Sequence, residues 1–358
     1  MKTMLVLSMG ALLLAGTLSA QTPVPEWQAG VDKVKNLIQS NPAQASEEAG
    51  ELLKGKNKKN VDLVTSVAHV YLDAGKITEA QEYLAMAKKA NNKDPKVSVL
   101  EGDIALAQKN IGQACQLYEQ AIYFDPNCKE AYLKYAQAYK SASPTQAIEK
   151  LEQLKAVDPN CLEADRELAE VYYSGNRFGK AAEMYAKFID TPLATEDDML
   201  KYAFALFLNH DFEKSLQVAQ KGLQKNARHA AFNRLVMYNN TDLKRYEDAE
   251  KAADAFFNAS DRADYSYLDY RYYGALLSAL KKYDKAIIEY GKALDKDDTQ
   301  VDLWREISDA HEMNNNYAEA IAAYRKYYDA LAKEKKTPET LFQFCLLYTS
   351  DAADDLTR

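Results

Sequence analysis

The chain has 358 residues, 45 basic and 53 acidic side chains, a formal net charge of −8 and 25 tyrosines. Charges of both signs are interspersed, so no basic stripe exists to follow a phosphate backbone, and nucleic acid is not an expected partner. His69, His210, His229 and His311 are scattered, and no HExxH or CxxC pair occurs, so no metal site is expected.

The first twenty residues, Met1 to Ala20, read MKTMLVLSMGALLLAGTLSA. One lysine, an apolar run and the small pair Ser19-Ala20 before Gln21 give the pattern of a secretory signal peptide. The apolar run is shorter than the roughly 18–20 residues of a spanning helix, and no cysteine stands at the cleavage point for lipid attachment. The mature chain is therefore expected to be exported without a transmembrane segment, and to be periplasmic in a double-membraned bacterium. Residues 21–60 read as a leader and an N-terminal capping helix pair. Glu26 to Ser40 carries Trp27, Val31, Val34 and Leu37 on one face, and Pro42 opens a second helix to Lys54 with Ala45, Ala49 and Leu52 inward. Gly55 to Asn60 is expected to be a charged loop.

From Val61 onward one spacing recurs. In GDIALAQKNIGQACQLYEQAIYFDP, Gly102 is followed by Ala114, Tyr118, Ala121 and Pro126. Gly102 marks a first helix crossed closely by a second, where a larger side chain has no room. Ala114 and Ala121 lie seven apart on one face of that second helix, with Tyr118 between them to fill the gap, and Asp125-Pro126 ends it. The pattern returns about every 34 residues. Ala68, Ala80, Leu84 and Ala87 precede it. Ala136, Ala147, Leu151 and Leu154 follow, then Ala169, Ala181, Tyr185 and Phe188, then the weaker Ala203, Ser215, Ala219 and Gly222. Val236, Ala249, Ala253 and Phe256 form the most divergent copy, and Val236 departs from the small-residue rule. Gly274, Ala286, Tyr290 and Ala293 restore it, and Ser308, Ala320, Tyr324 and Tyr327 keep the register.

About eight units thus fill residues 61–336. Ser143-Pro144 is expected to open a helix, and Thr195 to Asp198 to form a capping box with aspartate in place of glutamate. The helical period from Tyr317 to Lys336 predicts one extended helix, after which residues 337–344 begin a further repeat at Pro338. Cys345 to Asp355, CLLYTSDAADD, resembles the in-frame translation of a sequencing-library transposon adapter. Residues 345–358 are accordingly expected to be a non-native tail, with the authentic protein continuing past Phe344. Cys128 and Cys161 each follow Asp-Pro-Asn. A bridge between them is not expected, because packed helices lie about 8–10 Å apart while bridged Cα atoms approach within about 7 Å. Cys115 is expected to be a buried packing residue.

No GxGxxG, GxxxxGK[ST] or GxSxG motif is present. No catalytic constellation, cofactor or enzymatic activity is expected. The acidic pairs Asp197-Asp198 and Asp297-Asp298 are expected to serve helix N-termini, and His69 and His311 to be polar surface residues.

The spacing resembles the tetratricopeptide repeat. That resemblance implies an all-α fold, a right-handed α-solenoid of stacked antiparallel helix pairs, whose first helices line a groove that takes a protein or an extended peptide. Positions three before, and one, four and five after, the small residue should face that groove by helical geometry. In the middle repeats these are Arg166, Tyr173, Leu200, Phe204, Phe207, Leu208, Asn233, Met237 and Asn240, the alternative for Phe204, Phe207 and Leu208 being packing against the adjoining repeats. The flanks carry Asp73, Asp103, Glu163 and Glu170, then Arg271 and Arg305, which suits an extended polypeptide. Chaperone-tail binders of the family clamp a terminal carboxylate with lysine and asparagine. Here Thr65 and His69 hold the corresponding places, so that activity is not implied. The expected function is an exported scaffold in a cell-envelope assembly. The alternative is the regulatory or targeting arm of an enzyme whose catalytic domain follows Phe344. No oligomeric state is set by the sequence.

Overall fold

The computed structural model describes residues 24–260 and 264–357. The expected signal peptide, Met1 to Ala20, lies outside the described residues. Those residues form nineteen α-helices and no strand. They divide into two compact units, Met1–Ala131 and Tyr132–Arg358.

In the first unit α1 (Gln28–Ser40) and α2 (Pro42–Leu52) precede the pairs α3 (Val61–Asp73) with α4 (Ile77–Asn91) and α5 (Pro95–Ala107) with α6 (Ile111–Phe124). Val31, Val34 and Ile38 of α1 join Ala45 and Ala49 of α2 in one core with α3 and α4, so the first pair covers the apolar end of the stack. Pro42 and Pro95 sit in the first turns of α2 and α5, and the Asn41 and Asp94 side chains accept backbone N–H groups there.

The unit boundary falls within α7 (Lys129–Tyr139). The second unit continues with α8 (Pro144–Val157), α9 (Leu162–Ser174), α10 (Phe178–Phe188), α11 (Glu196–Leu208) and α12 (Phe212–Lys225). It runs on through α13 (Ala230–Asp242), α14 (Tyr246–Asp254), α15 (Tyr267–Ala279), α16 (Tyr283–Lys296), α17 (Asp302–Met313), α18 (Tyr317–Ala330) and α19 (Pro338–Thr357). The Thr195 hydroxyl accepts from the Asp198 N–H while the Asp198 carboxylate accepts from the Thr195 N–H, so the expected capping box is present.

The small positions do what their size permits. A Cβ on Gly102 would stand 2.5 Å from the Tyr118 ring, and one on Gly274 would stand 2.6 Å from the Tyr290 ring. Where serine replaces glycine or alanine, its hydroxyl donates to a backbone carbonyl of the other helix of its pair. Ser215 donates to the Ala203 carbonyl and Ser308 to the Ala320 carbonyl, both at 2.8 Å. In six repeats the first helix then ends on a left-handed residue seven positions after its small residue. Gly75 does so at φ 75°, and Lys109, Asn176, His210, Lys281 and Asn315 do so at φ 56–64°, whereas Ser143, seven after Ala136, has φ −148°. The N–H one residue later returns to the helix, as from Asn110 to the Ala105 carbonyl at 2.9 Å.

Several expectations are corrected. Gly55–Lys59 is a 3₁₀ turn rather than an irregular loop, tied to α2 by the Asn57 amide donating to the Leu52 carbonyl at 2.9 Å. α18 does not extend to Lys336. Leu331 turns to extended backbone, and a short 3₁₀ turn, Lys333–Lys335, follows. α19 begins at Pro338, where a further repeat was expected to start, and Leu347 is buried with Ala320, Ile321, Tyr324 and Tyr327. All four cysteines are free, and Cys115 is buried as expected. No helix of the described residues is long and apolar enough to cross a membrane.

Candidate functional site

The register of the divergent repeat decides which side chains reach the first-helix face. In regular copies the small residue stands twelve before its partner on the second helix, as in Gly102 to Ala114, Ala203 to Ser215 and Gly274 to Ala286. Twelve before Ala249 is Met237, not Val236. Lys244, seven after Met237, has φ 58°, and the Arg245 N–H donates to the Asn240 carbonyl at 2.8 Å, as its equivalents do in six other repeats. Met237 therefore occupies the small-residue position, fully buried in one core with Ala249 and Ala253. A large residue fits because position 253 is alanine, as is Ala219 in the preceding copy, where the remaining copies carry leucine or tyrosine. Size has been exchanged between the two helices.

This corrects three of the nine expected groove residues. Asn233, Met237 and Asn240 are buried, at 4%, 0% and 3% exposure. Asn233 donates to the Ala227 and His229 carbonyls, and Asn240 to the Val236 carbonyl. The same positional rule, counted from Met237, gives Arg234, Tyr238, Thr241 and Asp242. The other six hold mixed places. Arg166, Tyr173, Leu200, Phe204 and Phe207 are half-buried, and Leu208 is 43% exposed. Phe204 and Leu200 pack beside the Ala203–Phe232 core, and the Phe207 ring lies 5.7 Å from Tyr238 and 6.3 Å from Tyr272.

Along this face successive first helices are tied by charges about one repeat apart. The Arg166 guanidinium donates to Asp198 at 3.0 Å, and the Lys201 ammonium to Glu170 at 2.9 Å. Arg234 donates to Asp269 from Nε at 2.7 Å and from Nη2 at 3.1 Å. Arg271 grips Glu306 with Nε and Nη2, at 2.9 and 2.6 Å. That carboxylate lifts the arginine pKa further. Paired planar groups of this kind fix geometry as well as adding energy. The pairs therefore set the spacing of the first helices.

Between α13, α15 and α17 the face opens into a cavity of about 360 Å³, lined by Thr241, Asp242, Leu268, Arg271, Tyr272, Ala275 and Glu306. Tyr272 stacks on Tyr238 with ring centroids 3.9 Å apart, and its hydroxyl donates to Asp242 at 3.1 Å. Burial raises the Asp242 pKa, partly offset by that hydrogen bond. Leu268 is 38% exposed at the rim. Arg234, Tyr238, Thr241 and Asp242 were legible only through the twelve-residue spacing, since a rule keyed to small side chains passes over a methionine.

In the first unit His69 is half-buried rather than a free surface residue. Its Nδ1 lies 2.9 Å from the Thr65 carbonyl, its Nε2 2.9 Å from Asp103, and the Tyr118 hydroxyl donates to the same carboxylate at 2.8 Å. Thr65 turns its hydroxyl to the Val61 carbonyl of its own helix. Neither residue of this pair is arranged as a carboxylate clamp. His311 is also half-buried, and burial holds its pKa below the ordinary histidine value. Among the described residues no group of three or more metal-ligating side chains comes together.

A family model described as tetratricopeptide repeat matches residues 68–128, 136–193 and 274–334, half of the chain. The unmatched stretch between the last two segments contains Met237. A solved tetratricopeptide repeat protein from Parabacteroides merdae ATCC 43184 is similar at 14% identity and TM-score 0.43, over 70% of this chain and 98% of that one. Pseudomonas aeruginosa pilF is similar at 15% identity and TM-score 0.46, over 58% of this chain and 96% of that one. The P58(IPK) TPR domain covers 91% of this chain and 99% of its own, at 17% identity and TM-score 0.32. No curated protein matches the sequence.

Proposed function

This chain belongs to the tetratricopeptide repeat family, and from that premise we propose that it is an exported, non-enzymatic scaffold holding a protein or extended peptide on the first-helix face of its second unit, within a cell-envelope assembly. The observation that carries the reading is the combination on one face of an aromatic-walled cavity and the exposed Leu208 and Leu268. Apolar side chains beside a cavity are what a partner's anchoring residues bury. Phe204 and Phe207 are poorer targets for a test, because they also pack between helices. Partner recovery by the full chain is expected to fall about tenfold or more for Leu208→Asp/Leu268→Asp. It should be unchanged for Ile288→Asp, which alters a 58% exposed residue on a second helix. Equal recovery by all three proteins would remove the face from consideration.

Export rests on the pattern of Met1 to Ala20. Protein isolated from its source is expected to begin at Gln21, read by N-terminal sequencing or intact mass. A cytoplasmic protein retaining Met1 would end the envelope reading and leave the binding face untouched.

A further inference from the structure

We propose that the cavity at Thr241, Asp242 and Tyr272 receives a lysine or arginine side chain from an extended partner segment. This deepens the binding reading above and rests on it. Charge placement carries the inference. Each of the other carboxylates tied across this face has a cation: Asp198 has Arg166, Glu170 has Lys201, Asp269 has Arg234, and Glu306 has Arg271. Asp242 has none within ion-pair distance among the described residues, and its hydrogen bond comes from the neutral Tyr272 hydroxyl. The cavity wall thus holds one cation and two carboxylates, and is short of one positive charge.

The shape agrees with the charge. Tyr272, Ala275 and Leu268 offer an apolar wall to the methylene stem of a long basic side chain, with the cationic head toward Asp242. The Thr241 hydroxyl donates to the Met237 carbonyl at 2.9 Å, which leaves its oxygen lone pairs to accept from that head. An apolar side chain would desolvate Asp242 without compensation, and an acidic one would be repelled. His210 acts on Asp242 only through space, lowering its pKa.

The test pans a displayed library of linear peptides against the full chain and its variants. Wild type is expected to select a lysine or arginine at one fixed place among apolar residues. The selected peptide, made synthetically, should bind Asp242→Asn about tenfold more weakly, although asparagine can still accept from Tyr272. Asp242→Lys should recover affinity for the same peptide with glutamate at that place. A wild-type consensus without a cation, or equal affinity for Asp242→Asn, overturns the cation assignment while leaving peptide binding standing. Failure of wild type to select any consensus overturns the binding reading and the cation assignment together.

Discussion

Replacing Asp269 by alanine is expected to destabilise the second unit by about 3–5 kcal/mol, the usual cost of deleting one partner of a buried charge pair. Its side chain is fully buried and accepts five hydrogen bonds from three residues. Arg234 donates two bonds, the Tyr238 hydroxyl one at 2.9 Å, and the Ser266 N–H and hydroxyl one each at 2.7 and 2.9 Å. Removing it leaves the Arg234 charge without its carboxylate and uncaps the start of α15. Asp269→Asn keeps the shape and part of the cap, so its loss should be smaller. Arg234→Ala should also cost less, since that side chain is 24% exposed and its absence lets water reach the carboxylate. Urea unfolding gives the magnitudes, and amide exchange in α13 and α15 locates the loss. A cost below about 1 kcal/mol, the range of exposed pairs, would show that these donors are satisfied by water.

Asp269 also marks where the sequence is easy to read and where it is not. Alanine and glycine at fixed spacing announce the helix pairs because close crossing excludes anything larger, and Gly102 against Tyr118 is a direct instance. The Thr195–Asp198 cap was legible for the same reason: the chemistry is local. The ladder of polar pairs was not, although Arg166 to Asp198, Arg234 to Asp269 and His69 to Asp103 are separated by 32, 35 and 34 residues. Its members are one repeat apart and adjacent only after the helices stack. The end of α18 at Ala330 was hidden too, because helical period continued through Lys336 while the backbone turned at Leu331. The groove assignment slipped by one residue at Met237, and one residue on a helix turns the selected face by about 100°. That slip moved Asn233 and Asn240 outward on paper and left Arg234 and Asp242 unremarked.

The exchange of size between Met237 and Ala253 has a measurable signature. Met237→Ala alone should cost about 2–5 kcal/mol through the cavity it opens. Ala253→Phe alone should cost about 1–3 kcal/mol by overpacking against the methionine. Together they rebuild the arrangement of the regular repeats, where Ala169 stands sixteen residues before Tyr185 and Gly102 sixteen before Tyr118. Phenylalanine is the right filler here. The hydroxyls of Tyr118 and Tyr185 donate to Asp103 and Glu170, each one residue after its small position, whereas Tyr238 stands at that place in this repeat. A tyrosine at 253 would therefore bury a hydroxyl without its carboxylate, at a cost of about 1–3 kcal/mol. The double variant should be more stable than the sum of the single losses by about 0.5–3 kcal/mol, the range of directly coupled neighbours. Strict additivity in urea unfolding would mean that the two positions do not share one space. The register, and with it the placement of Asp242 on the first-helix face, would then have to be assigned anew.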